Sequence, residues 1–271
     1  MHYDALGDPR RPPLVCIPGL LGGPENFLAM IPSWTEHFRV LVLDPHRVRR
    51  EAGLTGLREE SIREVSYDTT SGEIAEILRK EGIDRAFLTG VSLGGKVVYD
   101  FAAKYPEFFR GGVITDVGPG SFSRSELFLF VDGIVQNLNR HLPWTELKAE
   151  LQSRIEDRSL RSLIQSQLFY PVRDQLPAEW KVGMRNFRSM LQRQGIDEQF
   201  EDLAKVDTRL AEQGHLFHVL HASRFSGISE DSLPRLRKLK AIQIEEVPAS
   251  THFLHITHKD LIVRTVLKLL S

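Results

Sequence analysis

A serine flanked by glycines constrains this chain more than any other feature of its sequence. The sequence GVSLG at residues 90–94 follows the apolar run 86–89 and precedes a segment of helical spacing that ends before Pro106. Strand, serine and helix in this order are typical of a nucleophile elbow, a tight turn that presents the hydroxyl group at the edge of a sheet. Glycines two residues before and after the serine let the strand and the helix approach closely. The pattern therefore predicts that Ser92 is a nucleophile, and the alternative is an ordinary glycine turn.

Length and composition indicate one globular domain. The chain has 271 residues, of which 41% are hydrophobic and 26% are charged, and this is enough to bury one core. The net charge of −1 gives no electrostatic reason to expect a nucleic acid or an anionic membrane as partner. Cys16 is the single cysteine, so an intrachain disulfide is excluded. Because neither a signal peptide nor a membrane-spanning run is evident, we expect a cytoplasmic protein without stable membrane association.

The first half of the chain alternates strand-like and helix-like segments. Such alternation predicts an α/β fold, a mostly parallel central sheet with helices on both faces. The expected strands are 2–6, 14–17, 39–43, 86–89 and 112–115, and the expected helices are 24–34 and 70–81.

The pattern changes after residue 120. Over 121–213 the apolar residues recur at helical intervals and no clear strand is seen, whereas strands return at 216–220 and 241–247. We therefore predict a core in two parts, 1–120 and 214–271, interrupted by a helical cap at 121–213. We expect the cap to lie above the carboxyl ends of the strands, where open sheets bind their ligands.

A serine nucleophile needs a base to accept its proton and a third group to orient that base. For this sheet order the partners follow along the chain as serine, acid and histidine, and Asp116 and His252 fit that order. Asp116 ends a predicted strand, and His252 lies between the last predicted strand and the closing helix. The rival acid is Asp231, which lies beyond a stretch without carboxylates at 221–229. A turn-capping role is the alternative for Asp116.

Two backbone N–H groups must face the oxyanion that forms during acyl transfer. Leu93, directly after the nucleophile, is one predicted donor, and Leu20 in the glycine-rich loop after the first buried strand is the other. That loop lacks the lysine and the spacing of a nucleotide-binding loop. The histidines at 252, 255 and 258 lack carboxylate or cysteine partners, which argues against a metal site. We expect neither a metal nor an organic cofactor.

Four motifs together resemble the α/β-hydrolase superfamily along essentially the whole chain. They are the elbow, IPGLLGGPENF at 17–27, DVGP at 116–119 and THFLH at 251–255. The DVGP motif resembles the corresponding sequence in a branch of small capped serine esterases. Enzymes of that branch take their catalytic acid from this position, after strand 6. Members of that branch carry a serine at the usual position of the acid, which is Ser226 here. The resemblance implies an α/β-hydrolase fold whose helical cap forms the roof of the acyl pocket.

Two departures from the family pattern stand out. Pro18 replaces the usual histidine of the oxyanion loop, and the loop after residue 43 lacks the usual glycine-rich sequence.

The residues and the resemblance together predict a carboxylic ester hydrolase, an esterase- or lipase-like enzyme that forms an acyl-enzyme on Ser92. Its expected partner is a small-molecule ester or thioester, and no nucleic acid. Hydrolysis of a carbon–carbon bond by the same triad is one alternative. A non-catalytic small-molecule receptor on a hydrolase fold is another. The sequence carries no signal for acyl-chain length or oligomeric state.

Overall fold

A seven-stranded sheet forms the centre of the part of the chain that the computed structural model describes, residues 1–19, 22–44, 67–119, 125–169, 178–180 and 196–271. The strands of the described residues are β1 (His2–Leu6), β2 (Pro13–Ile17), β3 (Arg39–Asp44), β4 (Ala86–Val91), β5 (Phe109–Thr115), β6 (Leu168–Phe169), β7 (Glu179–Trp180), β8 (Phe217–Ala222) and β9 (Ile242–Val247). The order across the sheet is β1-β3-β2-β4-β5-β8-β9. β1 runs antiparallel to β3, and the other described pairs of this sheet are parallel. The predicted mostly parallel sheet is confirmed.

Helices follow most of the strands. The described α-helices are α1 (Ile31–Thr35), α2 (Tyr67–Lys80), α3 (Leu93–Lys104), α4 (Glu126–Asn137), α5 (Trp144–Arg154), α6 (Arg158–Ser166), α7 (Ile196–Glu212), α8 (Ser232–Leu236), α9 (Leu254–Thr257) and α10 (Lys259–Leu267). Short 3₁₀ helices cover Pro24–Asn26 and Lys268–Leu270. Among the described helices, none has both the length and the apolar character needed to cross a membrane.

Alternate residues of β2 face opposite sides of the sheet and pack into two separate hydrophobic cores. Val15 and Ile17 belong to the core that α2 and α3 cover. Leu14 and Cys16 belong to the core that contains Trp34 and the buried face of α10. Because side chains alternate along a strand, a sheet covered on both faces buries both sets. This explains the nearly continuous apolar runs of the central strands, and it confirms helices on both faces.

Two local predictions differ from the structure. The segment 24–34, expected to be one helix, divides into a 3₁₀ turn and the short helix α1. Pro32 explains the break, because a proline has no N–H group and its ring clashes with the preceding helical turn. The span 121–213, expected to contain no strand, holds the antiparallel pair β6–β7. Each of these strands has two residues, which is too short for an alternating pattern to be visible.

The helices α4, α5, α6 and α7, named the insertion helices below, lie between β5 and β8 in the chain. α7 packs against α3, and Gln199 of α7 donates a hydrogen bond to the backbone oxygen of Lys96, 2.9 Å away. The predicted division into a core and a cap at 121–213 stays a prediction.

Candidate active site

Ser92 lies at a strained turn between β4 and α3. Its backbone has φ 52° and ψ −116°, a region that residues with a side chain rarely adopt. The turn is held on both sides, because the Ser92 N–H donates to Thr115 O at 3.1 Å and the Gly95 N–H donates to Ser92 O at 2.8 Å. The side chain is partly exposed and lines a cavity. The fold thus presents the Ser92 hydroxyl to that cavity, as an elbow does.

The glycines around Ser92 are required by close contacts. A β-carbon at Gly90 would lie 2.3 Å from the backbone oxygen of Gly94. One at Gly94 would lie 2.1 Å from Ile17 O, and one at Gly95 would lie 2.5 Å from a methyl carbon of Val117. Contacts this short do not occur, so Gly90 and Gly94 exclude a side chain unless the backbone moves, and Gly95 excludes one unless the side chains of Val117 and Ile114 move. The elbow therefore depends on glycine for reasons of space.

Asp116 ends β5 and is fully buried at 0% relative exposure. Its Oδ1 accepts hydrogen bonds from the Ala222 N–H at 2.8 Å and the Ser226 hydroxyl at 2.7 Å. Its Oδ2 accepts from the Gly227 N–H and from His252 Nδ1, both at 2.8 Å. Four donors around one carboxylate compensate for its removal from water.

These donors keep the buried Asp116 ionised. Burial by itself raises the pKa of the Asp116 carboxyl, but contacts with His221 and His252 and the Ala222 N–H outweigh burial. The pKa of Asp116 therefore lies well below its ordinary value. A charged Asp116 can orient a histidine and stabilise it when that histidine becomes protonated.

His252 lies in the loop between β9 and α9 and is buried at 7% relative exposure. Because a carboxylate only accepts hydrogen bonds, the Nδ1 of His252 carries the proton that binds Asp116, and Nε2 keeps its lone pair. The imidazole ring packs edge-on against Phe128 and Phe253, with ring centroids 5.7 Å apart in each pair. His252 lines the same cavity as Ser92. The ring is thus fixed by packing and by one hydrogen bond.

The backbone N–H of Leu93 begins α3, and the N–H groups of a first helical turn have no partner within the helix. This is the position in which the sequence predicts an oxyanion donor. The second predicted donor, Leu20, lies outside the described residues. Directly before it in the chain, the Gly19 N–H donates a hydrogen bond to Asn26 Oδ1 at 3.2 Å.

The cavity that Ser92 and His252 share has a volume of about 690 Å³. Its apolar lining comes mainly from α4 and α6, through Leu127, Phe128, Val131, Leu160, Leu163 and Ile164. Its polar lining includes Asn26, Arg158, Ser159, Ser162 and His255. A space of this size accommodates a small organic molecule. Among the described residues, no group of three or more histidine, cysteine or acidic side chains is arranged to hold a metal ion.

Side chains of α3 hold the chain directly after Asp116. The buried Lys96 donates to Gly118 O at 2.8 Å, and the Tyr99 hydroxyl donates to Val117 O at 3.2 Å. Burial lowers the pKa of Lys96 to about 7 and raises the pKa of Tyr99 well above its ordinary value. The helix that begins after Ser92 therefore also fixes the segment that follows Asp116.

The structure brings together the predicted Asp116 and His252 and places Ser92 on the same cavity as His252. Ser226, singled out through the family resemblance, contacts Asp116 directly. Asp231, the rival acid, is at the N-terminus of α8. The catalytic roles of the five predicted residues remain predictions.

Sequence reasoning missed three neighbours of these residues. His221 Nδ1 lies 3.5 Å from Asp116 Oδ1, and Asn26 accepts a hydrogen bond from the Gly19 N–H. At Gly227 a β-carbon would lie 2.4 Å from Asp116 O. The position of His221 near the carboxyl end of β8, beside β5, is the one signal that could have identified it.

Comparison with known proteins places the chain in a family. The family model described as the alpha/beta hydrolase fold matches residues 12–153, more than half of the 271 residues. The chain belongs to the α/β hydrolase fold family. The matched residues include Ser92 and Asp116, and His252 follows beyond them.

A curated relative extends the similarity over most of the chain. The sn-1-specific diacylglycerol lipase ABHD11 of Danio rerio is 24% identical over 265 residues, which is 93% of this chain and 76% of that protein.

Solved structures share the hydrolase fold at lower identity. A marine microorganism esterase has a TM-score of 0.68 at 17% identity, over 99% of this chain and 98% of that one. The S103A mutant of the meta-cleavage product hydrolase CumD from Pseudomonas fluorescens IP01 has a TM-score of 0.62 at 19% identity, over 99% and 93% of the two chains. At these identities the likeness shows the fold alone.

Proposed function

We propose that this α/β hydrolase cleaves carboxylic esters or thioesters through an acyl-enzyme on Ser92. The observation that carries the proposal is the 2.8 Å hydrogen bond between His252 and the ionised, fully buried Asp116, at the wall of the cavity that Ser92 also lines. A histidine oriented in this way is a general base whose free nitrogen can accept the proton of a serine hydroxyl.

The proposed reaction has two steps that use the same residues. In the first, Ser92 Oγ attacks the carbonyl carbon while His252 Nε2 takes its proton, and His252 then gives that proton to the leaving alcohol or thiol. In the second, water attacks the acyl-enzyme with His252 again as base, which releases the carboxylic acid and restores Ser92. Asp116 stabilises the protonated His252, and the N–H groups of Leu93 and Leu20 bind the oxyanion.

The choice of ester substrates has two supports. The diacylglycerol lipase and the marine esterase among the similar proteins are named for ester hydrolysis. The apolar side chains of α4 and α6 in the cavity also suit the hydrocarbon part of an acyl group. In this proposal residues 121–213 form the cap above the acyl pocket, and the enzyme acts in the cytoplasm.

The experiment that tests the proposal is labelling of the purified protein with a fluorophosphonate probe. Wild type is expected to be labelled and Ser92→Ala is expected not to be, because the probe bonds to an activated serine. Ser153→Ala, at an exposed serine of α5, is the matched control and retains full labelling. Turnover of p-nitrophenyl esters of increasing chain length is measured in parallel.

Two outcomes contradict the proposal. Folded wild type that takes up no label favours a non-catalytic receptor. Labelling that persists in Ser92→Ala assigns the nucleophile to another residue. Labelling of Ser92 without turnover of any ester would instead direct the search to carbon–carbon bond substrates.

A further inference from the structure

His255 is a polar side chain of the cavity wall that the proposed reaction does not use. It lies on α9, three residues after His252, and lines the cavity together with Ser92 and His252. Its Nδ1 is buried, and the described residues provide no hydrogen-bond partner for it. Buried polar atoms of proteins nearly always have a partner, so this one requires a reason.

The charge state of His255 makes it suitable for binding a neutral polar group. Burial, with the nearby His252 as a smaller cause, lowers the pKa of His255 to about 4. The ring is therefore neutral at neutral pH and offers one hydrogen-bond donor and one acceptor. A hydroxyl group can pair with either nitrogen, because it can donate one hydrogen bond and accept others.

The position of His255 indicates which part of an ester it faces. During acyl transfer the leaving alcohol receives its proton from His252, so the alcohol portion lies on the His252 side of the cavity. His255 follows His252 by three residues, lines the same cavity, and is close enough for His252 to contribute to lowering its pKa. The hydroxyl-bearing Ser159 and Ser162 of α6 line the same cavity and add further polar groups to it.

We propose that His255 is a specificity-determining residue that hydrogen-bonds a hydroxyl group on the alcohol portion of the substrate. The substrate class is then esters of hydroxylated alcohols, such as acylglycerols, rather than esters of simple alkanols. This inference rests on the proposed function, because it assumes that an ester occupies the cavity.

The test compares two esters that differ in their hydroxyl groups alone. Glyceryl monobutyrate and propyl butyrate have the same acyl chain and the same three-carbon alcohol skeleton. His255→Phe keeps an aromatic ring and removes both nitrogens. We expect the ratio of kcat/KM for the glyceryl ester to that for the propyl ester to fall about tenfold in this variant.

Two further variants show whether the hydrogen bond is responsible. His255→Gln keeps a neutral donor and acceptor, so we expect it to recover part of the lost ratio. His258→Phe is the matched control, because His258 lies on the same segment and bonds Thr257 without lining the cavity. Its ratio is expected to equal that of wild type. If His255→Phe does not fold, His255→Leu replaces it with the same expected loss.

The result separates this inference from the proposed function. Turnover of both esters with an unchanged ratio in folded His255→Phe or His255→Leu overturns the role of His255 and leaves ester hydrolysis intact. Wild type that cleaves neither ester and takes up no fluorophosphonate label overturns both.

Discussion

The two walls of the cavity are built in different ways. The wall from the sheet carries Ser92 at a positive φ angle, His252 between two aromatic rings, and Asp116 behind them with four hydrogen-bond donors. The wall from the insertion helices is formed by amphipathic helices that present apolar side chains to the cavity. Within α4, a β-carbon at Gly133 would meet no atom within 4 Å, whereas at Gly94 it would meet a backbone oxygen at 2.1 Å.

This difference teaches where the molecule tolerates change. On the sheet side, backbone atoms pack so closely that one added carbon displaces Ser92. On the insertion side, a change of side-chain volume at a residue that does not contact His252, as Phe128 does, alters the shape of the cavity and leaves Ser92, Asp116 and His252 in place. Substitutions on the two walls should therefore affect different measured quantities, namely kcat and folding for the first and substrate preference for the second.

We expect the largest effect from Asp116→Asn, which tests whether residues of the sheet wall carry out the proposed reaction. We expect kcat to fall by about 10³- to 10⁴-fold, because a neutral amide does not stabilise protonated His252. Either orientation of the amide also points its NH₂ group at an N–H donor, which costs about 1–3 kcal/mol of folding free energy. Ester turnover and urea unfolding measure the two effects.

The stability difference between wild type and Asp116→Asn should depend on pH. An acid whose pKa is lowered by folding stabilises the protein above its unfolded pKa, which for aspartate is about 4, and loses that effect as pH falls. The difference is therefore full above about pH 5 and shrinks in more acidic solution.

The matched control is Asp231→Asn, at the rival acid. Equal losses of kcat in the two variants would contradict the role of Asp116.

A pair of glycine substitutions compares the helix that begins after Ser92 with the insertion helix α4. Gly94→Ala is expected to lose about 3 kcal/mol or more of stability, together with ester turnover, because its methyl group would overlap Ile17 O. Gly133→Ala, inside α4, is expected to gain about 0.5–1 kcal/mol, since alanine favours a helix over glycine. Thermal and urea unfolding of both variants provide the measurement. Equal stability changes would break the contrast between the two helices.

Val131→Phe changes the shape of the insertion wall. Val131 lines the cavity, and the larger ring takes up space that a long acyl chain would use. We expect the kcat/KM of a long-chain p-nitrophenyl ester to fall about tenfold relative to that of the acetyl ester. Leu129→Phe is the control, because Leu129 is 56% exposed on the same helix. A fall of the same size for both ester lengths would contradict an acyl-binding wall.

Thr251→Val affects the contact between the two walls and has the smallest expected effect. The Thr251 hydroxyl, next to His252, donates to Asp157 at 3.2 Å, and Asp157 also accepts from the Leu160 N–H at the start of α6. Losing one such bond is expected to cost about 0.5–1 kcal/mol and to lower kcat/KM about two- to fivefold. A double-mutant cycle with Asp157→Ala measures the coupling, and strict additivity would contradict it. Thr208→Val, on α7, is the control.

The sequence predicted the features that local patterns encode. Apolar runs identified the strands of the sheet, and the GVSLG motif located the turn at Ser92. Asp116 and His252 were predicted because each follows a strand whose carboxyl end meets the same edge of the sheet. These predictions needed the order of strands and loops, and no knowledge of distances.

Features that depend on contacts between distant segments were not predictable. Asn26 matters through the backbone it approaches, and nothing in its neighbouring sequence marks that contact. For His221, its position near the end of β8 is the one signal of its contact with Asp116. The nitrogen of His255 that has no partner among the described residues likewise results from packing. The break at Pro32 is a local feature that the sequence does show, because a proline interrupts a helix.

The hydrogen bonds from α3 to the segment after Asp116 have a consequence for how a chain of this fold can diversify. Lys96 and Tyr99 anchor Val117 and Gly118 to the same helix that begins at Ser92, so serine and acid keep their spacing without help from α4, α5 or α6. A graft that replaces 126–169 with a foreign segment should keep the spacing of Ser92 and Asp116 and acquire a new cavity lining, but it must supply a ring in place of Phe128 to pack against His252. α7 is the exception, because Gln199 is bonded to the α3 backbone, and a graft should leave it untouched.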